Sequence, residues 1–280
     1  MKRRSPINIF PILLILAVAI VIFIIILYKA PAKLKPEGQV AFVIDDWGYS
    51  LNNVDTLFQI DRPITLAILP HLRYSKEISK KARKQGQKYD VILHLPLESK
   101  SGKSAERDTI RRNMKKDKIL SILKDDIESV PGIIGVSNHQ GSRVTENKEI
   151  MKVILEELKK MDLFFLDSRT TPVSVCGDIS RKIGLKYAER GVFLDLAQKK
   201  EEKQYRAYIK KQIKELINMA KIRGSAIAIG HDKKLTLDVI RESIPDIEKE
   251  KIKIVPLTKL VDQVGARLIA PLQALRGDQQ

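Results

Sequence analysis

The chain has 280 residues, a formal charge of +17, one cysteine and one tryptophan. A lone Cys176 excludes an internal disulfide, so a domain outside the reducing cytoplasm must stand on its hydrophobic core. Lys and Arg predominate, yet no zinc-finger spacing, helix-turn-helix signature or stripe of base-stacking aromatics accompanies them, which argues against nucleic acid as the partner.

Residues 1–8 carry Lys2, Arg3 and Arg4, and residues 9–28 are an apolar stretch broken only by Pro11. About twenty apolar residues cross the hydrocarbon core of a bilayer as a helix. The basic flank predicts a short cytoplasmic amino terminus, with the rest of the chain on the periplasmic or cell-surface side; Lys29, Lys33 and Lys35 on the far side work against that orientation. Ala30-Pro31-Ala32 has the form of a signal-peptide cleavage site. The apolar run exceeds the roughly 7–15 residues of a signal-peptide core, and with the interfacial Tyr28-Lys29 this favours an uncleaved single-pass anchor in the cytoplasmic membrane. Residues 29–37 read as a Pro/Lys-rich linker, 38–262 as one domain and 263–280 as a tail. Six basic residues and one acidic residue precede Gly38, so the remainder keeps +12. A basic domain in that compartment meets anionic envelope polymers or lipid head groups, although Lys scattered over helix faces also serves solubility alone.

Short β-branched runs predict strands at Val40–Ile44, Ile64–Leu69, Tyr89–Leu93, Ile133–Val136, Leu163–Leu166, Val192–Leu194, Ser225–Ile229 and Ile252–Val255. Between them, Ile119, Ile122, Leu123 and Ile127 mark one helix face, ended by Pro131. Thr145 is placed to cap a helix carrying Ile150, Val153, Ile154, Leu158 and Met161. A third apolar face runs from Tyr205 through Tyr208, Ile209, Ile213, Leu216 and Ile217 to Ala220, with Gly224 just past its end. Strand followed by helix, repeated, predicts an α/β fold: a (β/α) barrel of seven or eight mostly parallel strands.

Polar residues gather where these strands stop. Asp45 and Asp46 close the first, His94 the third, and Ser137-Asn138-His139-Gln140-Gly141-Ser142-Arg143 follows the fourth. Asp167-Ser168-Arg169-Thr170 follows the fifth, Asp195 the sixth, and Gly230-His231-Asp232 the seventh. Three of the four histidines lie at such ends. A barrel collects these ends on one rim, and imidazoles with a carboxylate and proton-carrying neighbours are what a metal-assisted hydrolase needs. Simpler roles stand beside this one. Asp45 and Asp46 can cap a turn, His94 can be core, Asp167 and Arg169 can pair with each other or brace the rim, and Asp195 can form a turn. His71, after Pro70, reads as rim-structural or solvated, and Glu98 as remote from the chemistry because Pro96 separates it from His94.

Five segments together resemble the divergent polysaccharide deacetylase family: Val43-Ile44-Asp45-Asp46-Trp47-Gly48, Ile92-Leu93-His94-Leu95-Pro96-Leu97-Glu98, Gly135-Val136-Ser137-Asn138-His139-Gln140-Gly141-Ser142, Phe164-Phe165-Leu166-Asp167-Ser168-Arg169-Thr170 and Ala226-Ile227-Ala228-Ile229-Gly230-His231. The resemblance covers roughly Val40 to Leu260. It implies a distorted (β/α) barrel with a divalent metal, commonly zinc, at the strand ends, acting on N-acetylated sugars. It implies Asp45 as general base, Asp46 as metal ligand and His231 as general acid, with Asp195 or Asp167 orienting His231 or touching substrate. The His-x-x-x-His pair usual in better-known deacetylases is missing here, and by position His94 and His139 replace it. Asp232 stands where relatives often carry Pro, and Leu196 where Asn is frequent.

The expectation is therefore a membrane-anchored N-deacetylase of an envelope polysaccharide or peptidoglycan-like polymer. The metal and loop donors near Ser142 would stabilise the oxyanion. A barrel without catalysis that binds or assembles envelope glycan is the second reading, motivated by the missing histidine pair and by the scarcity of aromatics at the mouth, where only Trp47 and Tyr49 are placed. A glycoside hydrolase working through Asp46 and Asp195 is the third.

Overall fold

The computed structural model describes residues 37–102, 106–196 and 201–261. The expected anchor, the tail and all of the linker but Glu37 lie outside them, and no helix among the described residues is long and apolar enough to cross a membrane. In chain order the elements are β1 (Gly38–Trp47), α1 (Val54–Phe58), β2 (Ile64–Ile68), α2 (Ser75–Lys84), β3 (Tyr89–Leu97), α3 (Lys116–Ser129), β4 (Gly135–Gln140), α4 (Lys148–Lys160), β5 (Phe164–Asp167), α5 (Cys176–Ile183), β6 (Tyr187–Glu189), β7 (Val192–Phe193), α6 (Glu202–Arg223), β8 (Ser225–His231), α7 (Lys234–Lys249) and β9 (Ile252–Ile254).

All the ladders between these strands are parallel. The order is β6-β5-β4-β3-β2-β1-β8-β7, and no ladder joins β6 to β7 among the described residues, so the barrel curls without closing. β9 pairs with Gly38–Val40 at the start of β1. β8 takes one edge of β1 from Gln39 onward, so β9 takes the edge that β2 occupies from Phe42.

Alternation along the strands separates two cores. Val40, Phe42 and Ile44 of β1 pack outward with the buried faces of the helices. Ala41 and Val43 point into the barrel and join Ala67, Ile92, Phe164, Leu166, Ala188, Ile227 and Ile229. The chain after β9 fills the amino-terminal end of this interior with Val255, Leu257, Leu260 and Val261. Each fully buried aliphatic side chain is worth about 1.5–3 kcal/mol relative to exposure, so the plug also stabilises the barrel floor.

The three expected helices form, with α3 burying Ile119, Ile122 and Leu123. Gly224 ends α6 in the left-handed conformation, φ 78°. The cap of α4 differs from expectation: Asn147 accepts from the Ile150 amide, while the Thr145 hydroxyl donates back to the Gly141 carbonyl at 2.9 Å. β3 also runs past its expected end at Leu93. β2 pairs with it only as far as Leu93, so Pro96, which lacks an N–H, deprives no β2 carbonyl of a partner.

Candidate active site

The alternation that builds the interior also aims the polar residues at its mouth. Asp45 continues the inward series of Ala41 and Val43, and His94 follows Ile92. His139 lies two residues beyond Ser137, whose neighbour Val136 faces outward. Ser168 continues from Leu166, Arg190 from Ala188 and His231 from Ile229. Asp46 escapes the alternation: its φ of 67° is left-handed, and the β1–β2 register shifts between Ile44 and Trp47. Such a bulge re-aims a side chain, here toward the two imidazoles. The resulting cleft, of about 410 Å³, is lined by these groups together with Asn138, Gln140, Arg169, Thr170, Phe193 and Leu196.

Asp46, His94 and His139 each place one ligand atom within 4.8 Å of the others. Asp46 Oδ1 lies 3.5 Å from His94 Nε2 and 3.1 Å from His139 Nδ1. Donors about 2.0–2.2 Å from a tetrahedral ion sit roughly 3.3–3.6 Å apart, close to the observed spacing. Asp46 Oδ1 is buried and takes no well-formed hydrogen bond from the described residues, a costly arrangement unless a cation is its partner. His94 Nδ1 lies 2.8 Å from Ser137 Oγ, which leaves Nε2 for ligation. Burial, with contributions from His139 and His231 and against the pull of Asp46, lowers the His94 pKa to about 4, so the ring is in its neutral, ligating form at neutral pH. Burial opposes ionisation of Asp46, but His139 and His94 outweigh it and hold the carboxylate charged. Two imidazoles and a carboxylate fit a divalent cation such as zinc.

Two further titratable groups line the cleft. Asp45 is 2% exposed, and its Oδ1 has no hydrogen-bond donor among the described residues. Burial raises its pKa well above the carboxylate range, with Asp46 and Asp195 reinforcing and His231 opposing. His231 Nδ1 lies 2.6 Å from Asp195 Oδ1. The other oxygen of Asp195 accepts from the His231 amide at 3.0 Å and the Thr236 hydroxyl at 2.7 Å. Burial works against the imidazolium, yet Asp195 overcomes it and raises the His231 pKa. Burial likewise opposes the Asp195 carboxylate, and the His231 and Thr236 bonds outweigh it and hold its pKa low.

Other expected residues take different places. Asp167 continues the outward face of Phe165 and is fully buried. It accepts from the Ser174 hydroxyl at 2.6 Å and the Arg169 amide at 2.7 Å, so it braces the rim loop from behind. Arg169 does not pair with it; its guanidinium meets Glu189 at 2.9 Å. Ser142 is outside the cleft, its Oγ accepting from the Lys100 amide at 3.0 Å. Ser168 does line the cleft, and among the described residues its buried Oγ has no partner. Glu98 joins the neighbouring loop through the Arg112 amide at 2.9 Å. His71 is structural at the rim, 3.1 Å from Asp126 and 3.3 Å from Asp125. Trp47 is fully buried and offers no sugar platform, while Tyr49 is exposed with its hydroxyl bonded to Glu106. The side chain of Asp195 is wholly buried beneath His231, which removes it as the second carboxylate of a glycosidase.

Two cleft residues were not anticipated. Arg190 spans from the Ser168 carbonyl to the Arg169 carbonyl, at 2.8 and 2.9 Å. Its guanidinium stacks 3.7 Å over the Phe193 ring, and Phe193 lies nearly parallel to His231, with ring centroids 6.0 Å apart. The signal was present in Tyr187-Ala188-Glu189, whose alternation carries Arg190 inward, but three residues are too short a run to announce a strand.

The sequence model of the divergent polysaccharide deacetylase family matches residues 42–261. The chain is similar to the uncharacterized protein YibQ of Escherichia coli (strain K12), at 31% identity over 81% of this chain and 68% of that protein. An uncharacterized protein of Haemophilus influenzae is also 31% identical, over 80% of this chain and 77% of the relative. Among solved structures, uncharacterized protein ATU2773 of Agrobacterium tumefaciens C58 superposes with a TM-score of 0.73 at 21% identity, covering 83% of this chain and 92% of that one. The Bc1960 peptidoglycan N-acetylglucosamine deacetylase gives 0.51 at 10% identity, covering 81% and 88%. At these identities the two structures speak for the fold.

Proposed function

The chain belongs to the divergent polysaccharide deacetylase family, and from that premise we propose that it is a metal-dependent hydrolase removing N-acetyl groups from an envelope polysaccharide. In the same reading the amino-terminal segment holds it at the cytoplasmic membrane, with the barrel on the outer side. The observation that carries the proposal is the meeting of Asp46, His94 and His139 around a buried carboxylate oxygen without a hydrogen bond. The donors usual in deacetylases come from one His-x-x-x-His segment; here adjacent strands β3 and β4 supply the two imidazoles.

A divalent cation held by these side chains supplies Lewis acidity at the amide carbonyl and lowers the pKa of water. Asp45 takes the proton of the attacking water through its unpartnered oxygen, and positive charge beside it favours the ionised form that a base needs. Ser168 offers a hydroxyl to the oxygen that gains charge. His231, held by Asp195 through Nδ1, gives its Nε2 proton to the departing amine. Acetate and a free amino sugar result. Phe193 and Leu196 give the cleft an apolar wall for the sugar or its acetyl group.

The test is acetate release from N-acetylated envelope glycans by the full-length protein. Release that stops on chelation and returns with zinc supports the proposal. Glycan binding with no acetate from any N-acetylated glycan would instead mark a barrel that has lost catalysis.

A further inference from the structure

A second cavity, of about 460 Å³, opens on the same rim and is lined by Lys100 and Arg112 from the β3–α3 segment and by Arg143, Glu146 and Asn147 from the β4–α4 loop. Glu98 stitches the two segments together: its carbonyl accepts from the Arg143 amide at 3.1 Å, and its carboxylate from the Arg112 amide at 2.9 Å. The Arg143 guanidinium is held by the Lys100 carbonyl at 3.0 Å and by Glu98 at 3.4 Å. Lys100 pairs with Glu146 at 2.6 Å. The Arg112 side chain is exposed and forms no ion pair among the described residues. Three cations thus stand beside two carboxylates, Glu98 and Glu146, and among the described residues Arg112 is the one left without an ion pair.

We propose that this cavity is an oxyanion subsite, which binds a carboxylate or phosphate group carried by the glycan that occupies the cleft. The inference rests on the deacetylase reading for its glycan, but not for its anion. Guanidinium groups present paired donors that match either oxyanion, and Arg143 is already fixed by its backbone contacts, so little side-chain entropy is lost on binding. The cavity adjoins the cleft through one short turn. Gln140 lines the cleft, Gly141 turns the chain with φ 86°, and Arg143 and Glu146 line the cavity. Beside it, Thr170 also lines the cleft and donates to the Gln140 carbonyl at 2.8 Å, while its neighbour Thr171 donates to Glu146. A polymer reaching out of the cleft over this turn meets the cations. The subsite therefore selects acidic glycans over neutral ones.

The experiment titrates chelator-treated full-length protein with inorganic phosphate at low ionic strength, in wild type and Arg112→Glu. Chelation removes any cation that phosphate could bind instead. Phosphate affinity is expected to fall at least tenfold in Arg112→Glu; equal affinity in the two proteins overturns the site. A second arm compares acetate release from a uronate-bearing, a phosphate-bearing and a neutral N-acetylated oligosaccharide. The ratio of kcat/KM for the better acidic substrate over the neutral one should drop about tenfold in Arg112→Glu, and the better substrate identifies the anion. An unchanged ratio overturns the role in substrate selection. If no glycan is hydrolysed while phosphate binding still depends on Arg112, the oxyanion site stands and the deacetylase reading fails.

Discussion

Replacing Asp195 with Asn tests the proposed proton-donating half of the site without touching a proposed cation ligand. Asp195 receives the Thr236 hydroxyl and the His231 amide on one oxygen and the His231 Nδ1 on the other. Asn keeps one oxygen for the first two but turns an NH₂ toward Nδ1. The imidazole then adopts the neutral tautomer that accepts at Nδ1, and the charge-assisted bond, worth about 1.5–3 kcal/mol, is lost. At tenfold per about 1.4 kcal/mol, a step that needs protonated His231 slows roughly ten- to hundredfold at neutral pH. Because Asp195 raises the His231 pKa, the alkaline limb of the rate profile moves to lower pH. Stability follows with a defined sign. The His231 part is complete below about pH 6.5 and fades as pH rises through its raised folded value. The Asp195 part is complete above about pH 4 and fades as pH falls through its lowered one. Asp195→Asn should therefore cost most stability between about pH 4 and 6.5. Acetate release against pH, with NMR titration of the His231 ring, makes the measurement. A variant with the wild-type limb and more than half the wild-type rate would refute this role for Asp195.

Three further outcomes follow. Asp45→Asn should bind the cation as wild type does while acetate release falls about 10²- to 10⁴-fold; loss of the ion would make Asp45 a ligand. Ser137→Ala removes the 2.8 Å contact that orients His94 and should weaken zinc affinity about 10- to 100-fold, read by competition with a chelating dye; unaltered affinity contradicts the orienting role. Burial, Asp125 and Asp108 raise the Asp126 pKa to about 8, so its contribution to stability is complete below about pH 4 and lost as pH rises through 8. Asp126→Asn should flatten that loss and stabilise the fold by on the order of 1–3 kcal/mol at pH 9, and melting curves parallel to wild type from pH 5 to 9 would contradict it.

Much of the barrel was legible because its strands are continuous apolar runs separated by helical periodicity. The same continuity hid which face was which. In Leu163-Phe164-Phe165-Leu166 both faces are apolar, so the sequence offers no sign that Asp167 follows Phe165 outward while Ser168 follows Leu166 inward. A regular pattern would have moved attention from Asp167 to Ser168 and from Ser142 back to the strand. Asp45 and Asp46 were readable as a pair at a strand end, but the left-handed turn that swings Asp46 toward the histidines is a local backbone choice that non-glycine residues rarely make. His94 and His139 come together because Pro96 and His139 are register partners across β3 and β4, a relation visible only once the strands are aligned. Trp47 was misplaced for a related reason: the irregularity at Asp46 returns it to the outward face of β1, where it is buried in the core.

The central claim is that Asp46, His94 and His139 hold one divalent cation, and zinc titration of chelator-stripped full-length protein tests it most directly. The expected result is one ion per chain for wild type, with affinity at least a hundredfold weaker in Asp46→Ala and His94→Ala proteins that retain the wild-type fold by circular dichroism. Wild-type protein that takes up no ion, or an Asp46→Ala protein that binds zinc as tightly as wild type, would contradict it.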